Sequence, residues 1–289
     1  MPFCSKCGAG IASSDKFCGV CGTAQWSAAG PLGPKTFGEI LAGTIRLYGA
    51  NFLGFVMIIA VVQVPLSIFG LWLGSIMENA SVDLADSLEG NSSLDSAALI
   101  EILYVGGFLF ITYLVAAIVM QVALIWGVSE RILGSPLNGG RAYSFAMGRY
   151  GAMLGAAVLS MGAVFLMAVT VIGIPVAIYF AVRWTFIMQV ASLERRSPLS
   201  ALARSSELVR DNWWRVLGIL VVVAVLAAIA NGILSLGLGL IPYAGPVVAA
   251  VLIAPVMIIA QTLLYHDLRV WTDTPAGYNL EILAEELQR

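Results

Sequence analysis

Residues 214–235 read WRVLGILVVVAVLAAIANGILS, an apolar run whose one charge, Arg215, sits at its edge. At 1.5 Å per helical residue, about 20 such residues cross the roughly 30 Å hydrocarbon core of a bilayer. Working outward, five further stretches of this character stand at about 52–74, 102–127, 151–172, 176–193 and 246–268. The expected fold is therefore an all-α integral membrane protein with six transmembrane helices. Composition agrees: 60% of the 289 residues are hydrophobic and only 11% are charged, whereas a soluble domain is about half apolar and about a quarter charged. An ordinary soluble enzyme, a disordered chain and a coiled coil are excluded.

Charge sets the expected orientation. The third and fourth spans are joined only by Gly173-Ile174-Pro175, which predicts a tight helical hairpin. With both termini inside, the inner segments hold 14 of the 15 basic residues, and the fifteenth is Arg183 within the fourth span. The outer loop 75–101 carries acids instead, from Glu78 to Glu101. This positive-inside asymmetry predicts three hairpins opening from a cytosolic face. Net charge is −2 and the basic residues are not pooled in one patch, so no nucleic-acid partner is expected.

The four cysteines form two copies of one unit, Cys4-Ser5-Lys6-Cys7-Gly8 and Cys18-Gly19-Val20-Cys21-Gly22. Thiolates two residues apart grip one metal ion, and the following glycine permits the tight backbone turn of a knuckle. Two knuckles close a tetrahedral four-sulfur site of the kind zinc or iron takes. With no histidine in the segment the site reads as closed and structural, a zinc ribbon over residues 1–22. Its thiols must stay reduced, which independently places this end in the cytosol. Residues 23–35 have the composition of a flexible linker, and 36–289 form the membrane domain.

Ahead of spans 1, 3 and 5 an amphipathic spacing recurs. It runs Leu41, Ile45, Tyr48, Phe52, then Tyr143, Met147, Tyr150, Leu154, then Leu202, Ser206, Val209, Trp213. Each set predicts a surface helix lying on the inner interface before the chain turns into the bilayer.

Two resemblances add to this reading. Phe3–Gly22 resembles the short zinc ribbon at the N-terminus of many prokaryotic membrane proteins, which implies a cytoplasmic (inner) membrane location. Thr36-Phe37-Gly38-Glu39-Ile40-Leu41, Glu194-Arg195-Arg196-Ser197-Pro198-Leu199-Ser200-Ala201-Leu202, Asn212-Trp213-Trp214-Arg215 and Leu264-Tyr265-His266-Asp267-Leu268-Arg269 resemble the glycerophosphoryl diester phosphodiesterase membrane domain family. That likeness implies a six-helix membrane domain. It does not imply the phosphodiesterase reaction, which belongs to a separate soluble barrel of about 250 residues.

Catalytic patterns are scarce. The single histidine, His266, reads as an interfacial imidazole at the inner end of span 6, with Asp267 and Arg269 anchoring that helix end. Apart from Asp267 at the inner edge of span 6 no carboxylate falls inside a span, so the signature of a proton-coupled carrier is missing. Arg183 is the one full charge at membrane depth; it is expected to face the bundle interior, paired with Asn231 or Glu101, locking helices or receiving an anionic headgroup. The expected function is a non-enzymatic membrane scaffold or regulator whose cytosolic ribbon meets a protein partner. The alternative is a lipid- or small-molecule-binding or transport bundle.

Overall fold

The computed structural model describes residues 20, 35–89, 96–238, 244–273 and 278–288, without the side chains of 75–99, 101 and 244. Among the described residues every regular element is helical. The order is α1 (Phe37–Ala50), α2 (Phe52–Glu89), α3 (Ser96–Ile132), α4 (Gly139–Met147), α5 (Tyr150–Ala168), α6 (Gly173–Arg183), α7 (Ile187–Leu193), α8 (Pro198–Val209), a 3-10 turn (Arg210–Asn212), α9 (Trp213–Leu238), α10 (Ala244–Thr272) and α11 (Leu280–Gln288). Six stretches are long and apolar enough to cross a membrane. The protein is a multi-pass helical membrane protein by that measure.

The long helices pair α2 with α3 and α9 with α10, and α10 also packs against α1, α2 and α3. The dense core lies at one end, where α3 and α10 finish and α2, α5 and α9 begin. Val122–Val128 of α3, Phe186 and the α7 residues that follow it, and Ile259–Leu268 of α10 are almost wholly buried there around Trp126, Phe186 and Tyr265. Towards the other end the helices present Leu103, Tyr104, Phe110, Ile229, Ile233 and Leu236 outward. Such apolar exposure suits lipid and would be unfavourable in water. At Gly70 the packing of α2 on α3 is so close that an added Cβ would lie 2.6 Å from the Tyr113 hydroxyl.

Short helices stand where the recurring spacing predicts them: α1 before α2, α4 before α5, α8 before α9. Local chemistry starts each one. Thr36 and Glu39 form a reciprocal capping box, Asn138 caps α4 through the Arg141 amide, and Pro198 opens α8 directly after Ser197. The most buried positions, however, lie one residue before the expected ones, although Val209 of the expected set is also fully buried. Ile40 and Thr44, Ala142 and Ala146, and Ala201 and Ser205 face the core, while Ile45 and Met147 are largely exposed. Small residues permit the close approach to the bundle, leaving the larger apolar side chains for the flanks.

The expected fourth span is not one helix. It breaks at Trp184–Phe186 into α6 and α7. The four cysteines expected to hold metal lie outside the described residues.

Candidate functional site

The sequence Tyr265-His266-Asp267-Leu268-Arg269 near the end of α10 puts polar groups on several faces of one buried helix. Successive residues on a helix point about 100° apart, so each group meets a different element. Asp267, fully buried, receives Arg215 of α9 at 2.7 Å and the backbone N–H of Lys35 at 2.6 Å. Arg215 also donates to the Lys35 carbonyl at 2.6 Å, so the residue before the α1 cap is held from both sides. Burial lowers the proton affinity of the Lys35 ammonium, with Asp267 and Glu39 opposing the shift.

On a second face, Tyr265 and Arg269 meet Glu194, the residue that ends α7. Glu194 accepts from Arg196 Nε at 2.9 Å, Arg204 Nε at 3.3 Å and Tyr265 Oη at 3.1 Å, with Arg269 Nε at 3.7 Å. Arg269 continues to Glu286 of α11 at 2.8 Å and to Asp273 at 3.2 Å. Arg204 of α8 bonds Asp273 as well as Glu207. Helices α7, α8, α10 and α11 are thus tied by one chain of alternating charges. Removing one member of a buried pair strands its partner, which typically costs about 3–5 kcal/mol.

On a third face, His266 lies between Ser129 of α3 and Tyr278, at 3.1 Å from Nε2 and 2.8 Å from Nδ1. The Ser129 hydroxyl already donates to the Ile125 carbonyl at 2.9 Å. Nε2–H therefore donates to Ser129, and Nδ1 accepts from the Tyr278 hydroxyl. Tyr278 stacks on the imidazole with ring centroids 5.8 Å apart, and the Arg269 guanidinium lies 3.9 Å from the centre of the Tyr278 ring. Burial raises the Tyr278 phenol well above its usual range, so it stays a donor. A serine, a histidine and a carboxylate stand close in this helix end, but they form no hydrolytic relay. Ser129 is fully buried, its proton points to backbone, and Asp267 is bonded to Arg215 rather than to the ring.

Arg183 does not sit where depth counting along a continuous span places it. It ends α6 and donates to Tyr179 Oη at 3.0 Å and to the Ser206 carbonyl of α8 at 3.2 Å. Asn231 is exposed on α9. It is 18 residues beyond Trp213, about 27 Å at helical rise, whereas Trp213 bonds the α6 backbone at Tyr179. The expected Arg183–Asn231 contact is therefore replaced by one with the surface helix α8. The Glu101 side chain lies outside the described residues.

A cavity of about 250 Å³ opens beside the charge chain, lined by Leu193, Glu194, Arg195, Arg196, Arg269 and Glu286. Among the described residues no cluster of three or more His, Cys, Asp or Glu is placed to hold a metal. Compared with family models, curated proteins and solved structures, the chain finds no match in any of the three.

Proposed function

We propose that the protein is a non-enzymatic scaffold or regulator of the prokaryotic inner membrane. In this reading a cytosolic zinc ribbon, built on Cys4, Cys7, Cys18 and Cys21, is carried on a linker by a six-helix bundle arranged as three hairpins with both termini inside. The observation that carries the reading is the double hold on Lys35. Its N–H and C=O are bound by Asp267 and Arg215 from two different long helices. Lys35 is thereby a fixed anchor at the packed base of the bundle, from which the linker carries the N-terminal segment. The interlocked charges on α7, α8, α10 and α11 support the same reading, because a network satisfied by its own members favours a fixed platform over a moving carrier.

The test compares the intact chain, Cys7→Ser and a chain lacking residues 1–30, each purified from membranes. Metal analysis should give about one zinc per intact chain and far less for Cys7→Ser. Protein mass spectrometry should show a partner that both altered chains lose, while their thermal unfolding in detergent stays as in the intact chain. A metal-free intact chain, or a partner set indifferent to the ribbon, overturns the reading. Lipid or a small molecule retained equally by all three chains would favour the binding or transport alternative.

A further inference from the structure

We propose that the cavity beside Arg195 binds the phosphate group of an anionic ligand. Charge accounting along its walls comes first. Glu194 is engaged by Arg196, Arg204 and the Tyr265 hydroxyl, and both oxygens of Glu286 accept from Arg269, at 3.0 and 2.8 Å. The two acids of the cavity are thus already occupied. Arg195, exposed to solvent, lines the same space and has no acidic partner among the described residues. Arg149 stands close enough to Arg195 and Glu286 to feel both charges; its Nη1 donates to the Ser192 carbonyl, while Nη2 is buried with no partner. Among the described residues neither guanidinium has an acid at ion-pair distance; Arg149 lies outside the cavity wall and is attracted only at longer range by Glu286, so Arg195 is the free donor of the cavity itself.

Backbone geometry points the same way. Arg195 has φ 54°, in the left-handed region that ordinary side chains avoid. That conformation costs about 1–2 kcal/mol for a residue with a Cβ, and such outliers cluster where a ligand is held. Guanidinium forks match the oxygens of phosphate in pairs, which makes arginine the preferred donor for it. Burial lowers the Arg149 group to about 10, helped by the repulsion of Arg195, so it is still charged at neutral pH and would gain from an anion. The volume, about 250 Å³, is ample for a phosphate with water.

The phosphate has two sources, the headgroup of an anionic phospholipid or a soluble phosphate, and the experiment separates them. The intact protein is titrated with inorganic phosphate in detergent at constant ionic strength. In parallel it is reconstituted with phosphatidylglycerol and phosphatidylcholine, and retained lipid is read by native mass spectrometry. Preference for phosphatidylglycerol without phosphate binding assigns the lipid; phosphate binding alone assigns the soluble anion. Arg195→Asn removes the charge but keeps a residue that tolerates left-handed backbone. It should weaken the preferred probe about tenfold, the loss of one charge-assisted bond. Arg195→Gly removes the same charge and takes left-handed backbone without strain, which gives a second arm if the asparagine variant folds poorly. The site is refuted if neither probe binds better than phosphatidylcholine or chloride. It is refuted equally if a folded Arg195→Asn or Arg195→Gly binds as the parent does.

Discussion

At the residue scale, the end of α10 shows what a one-dimensional reading misses. Asp267 and Arg269 read as interfacial anchors because each follows a long apolar run. In the folded chain both are buried, and their partners come from distant sequence: Arg215 for Asp267, Glu194 and Glu286 for Arg269. No local pattern announces such pairings. The one available signal was density, since five residues holding Tyr, His, Asp and Arg are unusual directly after an apolar span. The consequence is testable. Asp267→Asn leaves Arg215 facing a neutral amide and weakens the hold on Lys35. Stability should fall by about 3–5 kcal/mol, measured as a lower midpoint in detergent–denaturant unfolding. A loss under about 1 kcal/mol would mean that water replaces the carboxylate and that the pair does not lock the helices.

Elements were more legible than residues. The period-3.6 spacing ahead of three long helices correctly announced α1, α4 and α8, because amphipathicity is a property of the local chain. Which side of that stripe packs inward was not legible. Hydrophobicity favours the larger side chains, but close approach to a crowded bundle favours Ala142, Ala146 and Ala201. The break in the fourth span is not visible in the sequence for a related reason. Trp184, Thr185 and Phe186 are apolar enough to continue a span, yet Trp184 bonds Ser206 and the Phe186 amide bonds the Ser205 hydroxyl, which draws the chain onto α8. This has a topological consequence for α5 and α6. Trp213, the first residue of α9, bonds Tyr179. Only six residues, about 9 Å, then separate Tyr179 from the start of α6 at Gly173. The hairpin tip, with Val171 and Ile172 almost fully exposed, reaches about a third of a 30 Å core beyond the entry of α9. It should dip into the bilayer and return without crossing. Val171→Cys, in a chain lacking native thiols, should resist an impermeant thiol reagent applied from outside. Rapid external labelling would restore a full crossing.

At the scale of the whole molecule, the two ends of the bundle are built on different physics. One end is dense and cross-linked by ion pairs from α7, α8, α10 and α11; the other exposes apolar side chains all round. Water and headgroups can compensate partly satisfied charges such as Arg195 only at the first end, and lipid can cover Leu103 or Leu236 only at the second. The charged end therefore belongs at an interface, and in the orientation proposed from the excess of basic residues in the same segments that interface is the cytosolic one. A re-entrant α5–α6 pair leaves this orientation unchanged, because a hairpin that dips and one that crosses both return the chain to the side it left. Both termini and α8 are then cytosolic, and the segment around Ser87 is external. Ser205, fully buried beneath Phe186, is a poor reporter of this; Gln288, exposed at the end of α11, is a good one. In the thiol-free background Ser87→Cys should react with an impermeant reagent on intact cells, and Gln288→Cys only after the membrane is opened. The opposite pattern would invert the molecule. It would also remove the reducing surroundings that the four N-terminal cysteines need, so the orientation and the proposed zinc ribbon stand or fall together on this measurement.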